Sequence, residues 1–77
     1  MEELLAYLAR TLVDEPDQVS VESFEEDDGT IVLELQVADD DAGKVIGRGG
    51  RTVAALRTVM KASAVRHDRR VLVDVVD

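Results

Sequence analysis

Gly43-Lys44-Val45-Ile46-Gly47-Arg48-Gly49-Gly50-Arg51-Thr52-Val53 is the stretch on which the reading of this chain turns. Three glycines in four positions, Gly47, Gly49 and Gly50, cannot sustain a helix, because glycine loses the most backbone entropy on ordering. The residues on either side can. Before the break, Asp39-Asp40-Asp41 supplies N-cap candidates for a short helix over 41–46. After it, Val53, Leu56, Met60 and Ala64 recur at helical spacing, predicting a helix from about Arg51 to Arg66 with Arg51, Arg57 and Lys61 off the apolar stripe. Such a break leaves backbone N–H groups open where the second helix begins, at the positive end of its dipole, which is a seat for a phosphate. Lacking Cβ atoms, Gly47, Gly49 and Gly50 let a phosphodiester backbone come close, and Arg48 at the tip, with Lys44 and Arg51 beside it, adds full charges.

Working outward, residues 2–13 place Leu4, Leu5, Leu8 and Leu12 on one stripe, which predicts an amphipathic helix that Pro16 stops. Val19 to Phe24 leans toward strand, and its alternation slips near Phe24. Asp28-Gly29, closing the run Glu25-Glu26-Asp27-Asp28, is a hairpin signal. Ile31, Leu33, Leu35 and Val37 then alternate with polar residues, and Val71 to Val76 reads as a last strand. The order is helix–strand–strand–helix–glycine loop–helix–strand. Its compact solution is an α+β sandwich, with three helices on one face of a three-stranded sheet. Val32, Leu72 and Val76 point away from that core, so the second sheet face is expected to be partly apolar and to offer a dimer surface.

Composition narrows the function. The chain has 77 residues, room for one domain spanning 1–77. It has no Cys, hence no disulfide framework and no thiolate nucleophile or metal site. No apolar run approaches the ~20 residues of a membrane helix, and the acidic start Met1-Glu2-Glu3 is unlike a secretory signal, so a cytoplasmic protein is expected. The net charge of −8 conceals a division. Residues 1–42 hold 14 acids and one base, Arg10, whereas residues 43–77 hold eight bases and three acids. From Gly43 to Arg70 the only acid is Asp68. Such asymmetry points to an anionic partner at one part of the molecule.

Three phosphate-binding loops compete for the glycine stretch. A nucleotide P-loop needs Gly-Lys-Ser/Thr after a strand, but Gly50 is followed by Arg51-Thr52 and a helix precedes it. A dinucleotide fingerprint starting at Gly47 needs a third glycine where Thr52 stands. The remaining loop is the Gly-x-x-Gly of KH modules, which clamps the backbone of about four nucleotides. Val45-Ile46-Gly47-Arg48-Gly49-Gly50-Arg51-Thr52-Val53 resembles the KH signature of an aliphatic pair, Gly-x-x-Gly, and an aliphatic residue three positions on. Arg51 to Ala62 is similar to the second core helix of the small bacterial single-KH proteins of the KhpA family, and the likeness extends over essentially all 77 residues.

That resemblance implies a type II (prokaryotic) KH domain and a protein that binds single-stranded RNA. Gly47 and Gly50 would be the two fixed glycines, and Arg48 and Gly49 the variable pair against the backbone. Val45 and Ile46 would pack the hinge or line an apolar base groove between the two core helices and an adjoining strand, with Lys44 and Arg51 assisting and Arg57 and Lys61 as candidate additional contacts. It also implies a homodimer, or a heterodimer with a larger KH protein (KhpB, also called Jag). The role implied is that of an RNA chaperone or post-transcriptional regulator linked to cell growth and shape. Gly49 departs from the pattern, since a side chain often stands there; the loop is expected to be looser for it.

Other constellations are weaker. The acidic turn Glu25 to Asp28 lacks the alternating ligands and distal Glu of a calcium loop, so no metal is expected. His67 has no nucleophile near it in sequence, and Tyr7 and Phe24 are too few aromatics for a base-stacking platform. No nucleophile–base pair appears, so neither catalysis nor a cofactor or small-molecule substrate is expected. Arg66, Arg69 and Arg70, a helix length from the loop, read as surface or as partners for the acidic half. A protein-interaction module with a vestigial loop, or a ribosome-associated assembly factor, is the alternative function.

Overall fold

Strand β2 (Ile31–Gln36) buries Leu33 and Leu35 completely, and the rest of the molecule is arranged around it. The computed structural model describes residues 1–76. In it β2 pairs antiparallel with β1 (Ser20–Glu25) and parallel with β3 (Val71–Val76), giving the order β1-β2-β3. The hairpin closes where expected: Gly29 takes φ +88°, Glu26 N–H donates to Thr30 O at 2.8 Å, and Thr30 N–H donates to the Asp28 carboxylate at 2.9 Å. A parallel β2–β3 pair cannot be joined by a turn. The crossover is supplied by α2 (Ala42–Ile46), the glycine loop and α3 (Arg51–Arg66), so the topology itself puts the loop at one end of the sandwich. This is the α+β architecture the sequence led us to expect, three helices with a three-stranded mixed sheet.

The core joins Leu33, Leu35, Val71 and Val73 of the sheet to Leu5, Ala9, Val45, Leu56, Met60 and Ala64 of the helices. The stripe expected of α3 is the buried one, Val53, Leu56, Met60 and Ala64. Helix α1 (Glu2–Leu12) differs. It buries Leu5, Ala6 and Ala9, while Leu4 and Leu12 stay more than a third exposed and Leu8 is half-buried. The buried face of the helix is thus one leucine and two alanines, and Leu4 and Leu12 lie off it.

The aspartates before α2 also depart from expectation. Asp39–Asp41 forms a 3₁₀ turn, and no side chain caps α2. Asp41 is instead buried, 1% exposed, and its carboxylate accepts from the backbone N–H groups of Asp14 at 3.2 Å and Glu15 at 3.0 Å. A carboxylate can satisfy orphan donors anywhere the fold brings them, and here the segment leaving α1 competes successfully with α2's own first turn.

On the outer sheet face Phe24, Val32 and Leu72 stand in one cross-strand row, with Phe24 and Leu72 about half exposed. The neighbouring row is Glu22, Glu34 and Asp74. The apolar patch expected on this face is thus bordered by three carboxylates, and like charges directly opposite each other are unfavourable.

Candidate nucleic-acid interface

The glycine loop is built by backbone chirality. Gly47 adopts φ +77°, ψ 170°, a region essentially closed to other residues, and Gly49 (φ 65°, ψ 19°) and Gly50 (φ 77°, ψ 13°) are both left-handed. At Gly47 space is short as well: a Cβ there would collide with the Thr52 side chain and lie 2.9 Å from the Thr52 backbone nitrogen. Gly49 and Gly50 face open space. The loop turns through a single 3₁₀ step, with Gly50 N–H donating to Gly47 O at 3.1 Å, and releases the chain straight into the 16-residue α3. No side chain caps α3, so the orphan N–H groups of its first turn are available to an external acceptor. Thr52, which the sequence reading did not single out as a site residue, leaves no room for a side chain at Gly47; only a contact across the turn reveals it.

The sequence-predicted cations separate into two groups. Arg48 and Arg51 are exposed at the loop and, among the described residues, make no ion pair. Lys44 has another occupation: its ammonium lies between the carboxylates of Asp14 and Asp41, with Asp41 Oδ1 at 3.2 Å. Hydrogen bonds to Asp14 and then to Asp41 push the Lys44 pKa up, so the group stays charged but internally compensated. Burial pushes the Asp41 carboxyl up, but the Asp14 and Glu15 N–H donors, with Lys44, outweigh it and hold the group below the usual carboxylate range. This knot ties the exit of α1 to α2, and through α2 it sets the direction in which the loop leaves the domain. Val45 is fully buried beneath it, and Ile46, 38% exposed, stands at the loop's rim.

A groove of about 430 Å³ runs between α3 and the free edge of β3, lined by Arg57, Lys61, Val71, Leu72, Val73 and Asp74 among others. Because β3 is an edge strand, alternate N–H and C=O groups point away from β2. The Val73 carbonyl is one of these, and Arg57 Nε donates to it at 3.2 Å across the groove. The structure therefore brings Arg57 and Lys61 together with an apolar strand edge, in the trough beside the helix that the glycine loop opens. Lined by aliphatic side chains, polar at its mouth and flanked by two cations, it has the chemistry to take a flat heterocycle beside a phosphate chain. Among the described residues no group of three His, Asp or Glu side chains is placed to hold a metal ion, and no helix is long and apolar enough to cross a membrane.

Comparison with known proteins agrees with this geometry. A family model described as "KhpA/KhpB, KH domain" matches residues 2–75. Proteins named "RNA-binding protein KhpA" are similar over their full length. The one from Clostridium acetobutylicum is 47% identical over 76 residues, covering 99% of this chain and 100% of the relative. That from Halalkalibacterium halodurans is 49% identical over 78 residues, covering 100% of both. That from Treponema pallidum is 46% identical over 76 residues, covering 99% of this chain and 94% of the relative.

Proposed function

Because the chain belongs to the KhpA/KhpB family of KH-domain proteins, we propose that it binds single-stranded RNA, the backbone seated at Gly47–Gly50 and a few unpaired bases in the groove between α3 and β3. The observation that carries this reading is the loop: three left-handed or mirror-extended glycines opening a long, uncapped helix between two unpaired arginines, Arg48 and Arg51. The name of the relatives, RNA-binding protein, supports the ligand class. Arg48 and Arg51 supply the charge, Arg57 and Lys61 add contacts along the groove, Ile46 forms the rim, and Val45 supports the turn from below. Lys44 acts through the fold, since its charge is already compensated.

Single strands release ~0.7 counterions per neutralised phosphate, so a patch of this size predicts a shallow salt dependence and weak, low-specificity binding. The carboxylates of the hairpin and outer sheet face repel the rest of the strand. A second KH domain, in a homodimer or in the larger KhpB (Jag), raises the effective concentration. We place the protein in the cytoplasm as an RNA chaperone or post-transcriptional regulator with no catalytic step. The test is Arg48→Asp and Gly49→Asp, assayed by gel shift with circular dichroism as the fold control, and by amide resonances of residues 44–53 on titration with oligoribonucleotides. Lost binding with an intact fold supports the reading; unaltered binding, or unmoved resonances, overturns it.

The apolar surface between α1 and α3, with Leu8, Leu12, Ala55 and Val59, is where we propose self-association. An isologous contact through the outer sheet face would set the row Glu22, Glu34 and Asp74 against its own copy. Val59, 43% exposed, is the probe: Val59→Glu abolishes a dimer seen by size exclusion with light scattering, whereas a Leu72→Glu effect in its place would move the contact to the sheet.

A further inference from the structure

Arg69 and Arg70 are adjacent in sequence and unequal in the structure. Arg69 Nη2 donates to Glu25 Oε1 at 2.9 Å and to Gly29 O at 3.2 Å, so it fastens the β1–β2 hairpin to the end of α3. Arg70 has no ion pair among the described residues, although Asp28 is near enough to feel its charge. Its carbonyl faces β2, accepting Ile31 N–H at 2.8 Å, and Val71 begins the buried register of β3. A hollow of about 290 Å³ opens here, lined by Lys61, Ala64, Val65, Arg69, Arg70 and Val71. It shares Lys61 and Val71 with the groove beside Arg57, so the two adjoin at those residues and together make a trough. The trough follows β3 to the end of α3 opposite the glycine loop, and α3's 16 residues make that helix about 24 Å long.

A strand seated at the glycine loop and laid in this trough carries one negative charge per nucleotide along its whole length. The loop clamps about four nucleotides. Whatever follows them passes Lys61 and Arg70. We infer that Arg70, reached past Lys61, forms a second phosphate-binding site at the far end of the trough, holding the same single strand beyond the nucleotides clamped by the loop. The inference rests on the RNA reading above and extends it: the footprint becomes longer than one Gly-x-x-Gly contact. It also explains why two neighbouring arginines differ. One is needed to hold the hairpin, and the other is left for the ligand.

The experiment measures fluorescence anisotropy of labelled oligouridylates of four and of eight nucleotides against the full chain, as a function of salt. Slope is the readout because a longer oligomer binds tighter merely through its extra registers, which leave the slope unchanged. In the wild type the octamer's slope exceeds the tetramer's by about 0.7, the one contact at Arg70, so that raising salt fourfold weakens the octamer about 2.6-fold more. Arg70→Gln brings the octamer's slope down to the tetramer's and leaves tetramer binding in place, whereas Lys61→Gln, at a position that also lines the base groove, lowers the slope of both oligomers. Arg70→Lys keeps the octamer's slope, and Arg10→Gln, a charge lost from exposed α1, leaves both slopes alone. Equal slopes for the two oligomers in the wild type, or an octamer slope unchanged in Arg70→Gln, overturn the inference while tetramer binding stands. A tetramer that does not bind at all overturns the RNA reading itself and the inference with it.

Discussion

Gly47 and Gly49 sit two residues apart in the same loop, both at positive φ, yet replacing each by alanine has very different consequences. For Gly49→Ala the structure leaves nothing within 4 Å of the new methyl, so only the left-handed penalty of about 1–2 kcal/mol remains. Reduced freedom of the unfolded chain returns about 0.4–1 kcal/mol, leaving a net loss near 1 kcal/mol. For Gly47→Ala the backbone region itself costs about 1–3 kcal/mol. The methyl would also lie 2.7 Å from Thr52 Cβ and 2.9 Å from Thr52 N, an overpacking worth about 1–3 kcal/mol more. The net loss is about 2–5 kcal/mol, which at roughly 4–8 °C per kcal/mol lowers Tm by at least about 8 °C in a domain of this size. Urea and thermal denaturation followed by circular dichroism measure both. Adding Thr52→Ala to Gly47→Ala removes the hydroxyl from the collision but leaves the residue's Cβ and backbone nitrogen, so the rescue is partial, about 1 kcal/mol. If Gly47→Ala proves no more damaging than Gly49→Ala, the account of the loop as a sterically locked turn is refuted.

Three further outcomes are expected. The carboxyls of Asp41 and Asp28 both lie below the usual range when folded, so the stability they supply is complete above their unfolded pKa, about 4, and is lost as pH falls through the folded values; urea midpoints stepped down in pH should drop steeply for the wild type and less steeply for Asp41→Asn, which starts lower. Asp68 closes α3 in the left-handed region (φ 56°), with Arg69 N–H bonded to Ala64 O at 2.8 Å, so Asp68→Gly should raise stability by about 0.5–1 kcal/mol in thermal melts. Arg48→Ala should reduce the salt slope of RNA binding by roughly 0.7, whereas Lys44→Ala should leave the slope as it is and lower the melting temperature, because one cation faces the ligand and the other holds two carboxylates.

The fold gathers most of the free cations of this chain along one side, and that concentration is what lets a protein of net charge −8 meet a polyanion. Carboxylates border the outer sheet face and crowd the hairpin, whereas Arg48, Arg51, Arg57, Lys61 and Arg70 follow the loop and the trough, where Asp74 is the one carboxylate among the lining residues. Net charge alone would have argued the opposite. The decision lies in how the field is distributed over the surface.

Much of this was legible in the amino-acid order alone, and for a common reason. The stripe Val53, Leu56, Met60, Ala64, the alternation of β2, the turn at Asp28-Gly29 and the break at Gly47–Gly50 are each set by residues within one or two turns of one another. Periodicity and backbone chirality act over that range, so they need no tertiary information. The rest depended on contacts between distant residues. The alanine face of α1 was hidden because leucines dominate any apolar count. Asp41 read as a cap, and Lys44 as a phosphate ligand, until Asp14 arrived from thirty residues away to close the knot. Arg69 and Arg70 are the same letter twice, and only the position of Glu25 on the hairpin distinguishes them. Which helices and strands form is thus a local matter, whereas which charges remain free to meet a ligand is settled by the long-range folding that brings their counter-ions within reach.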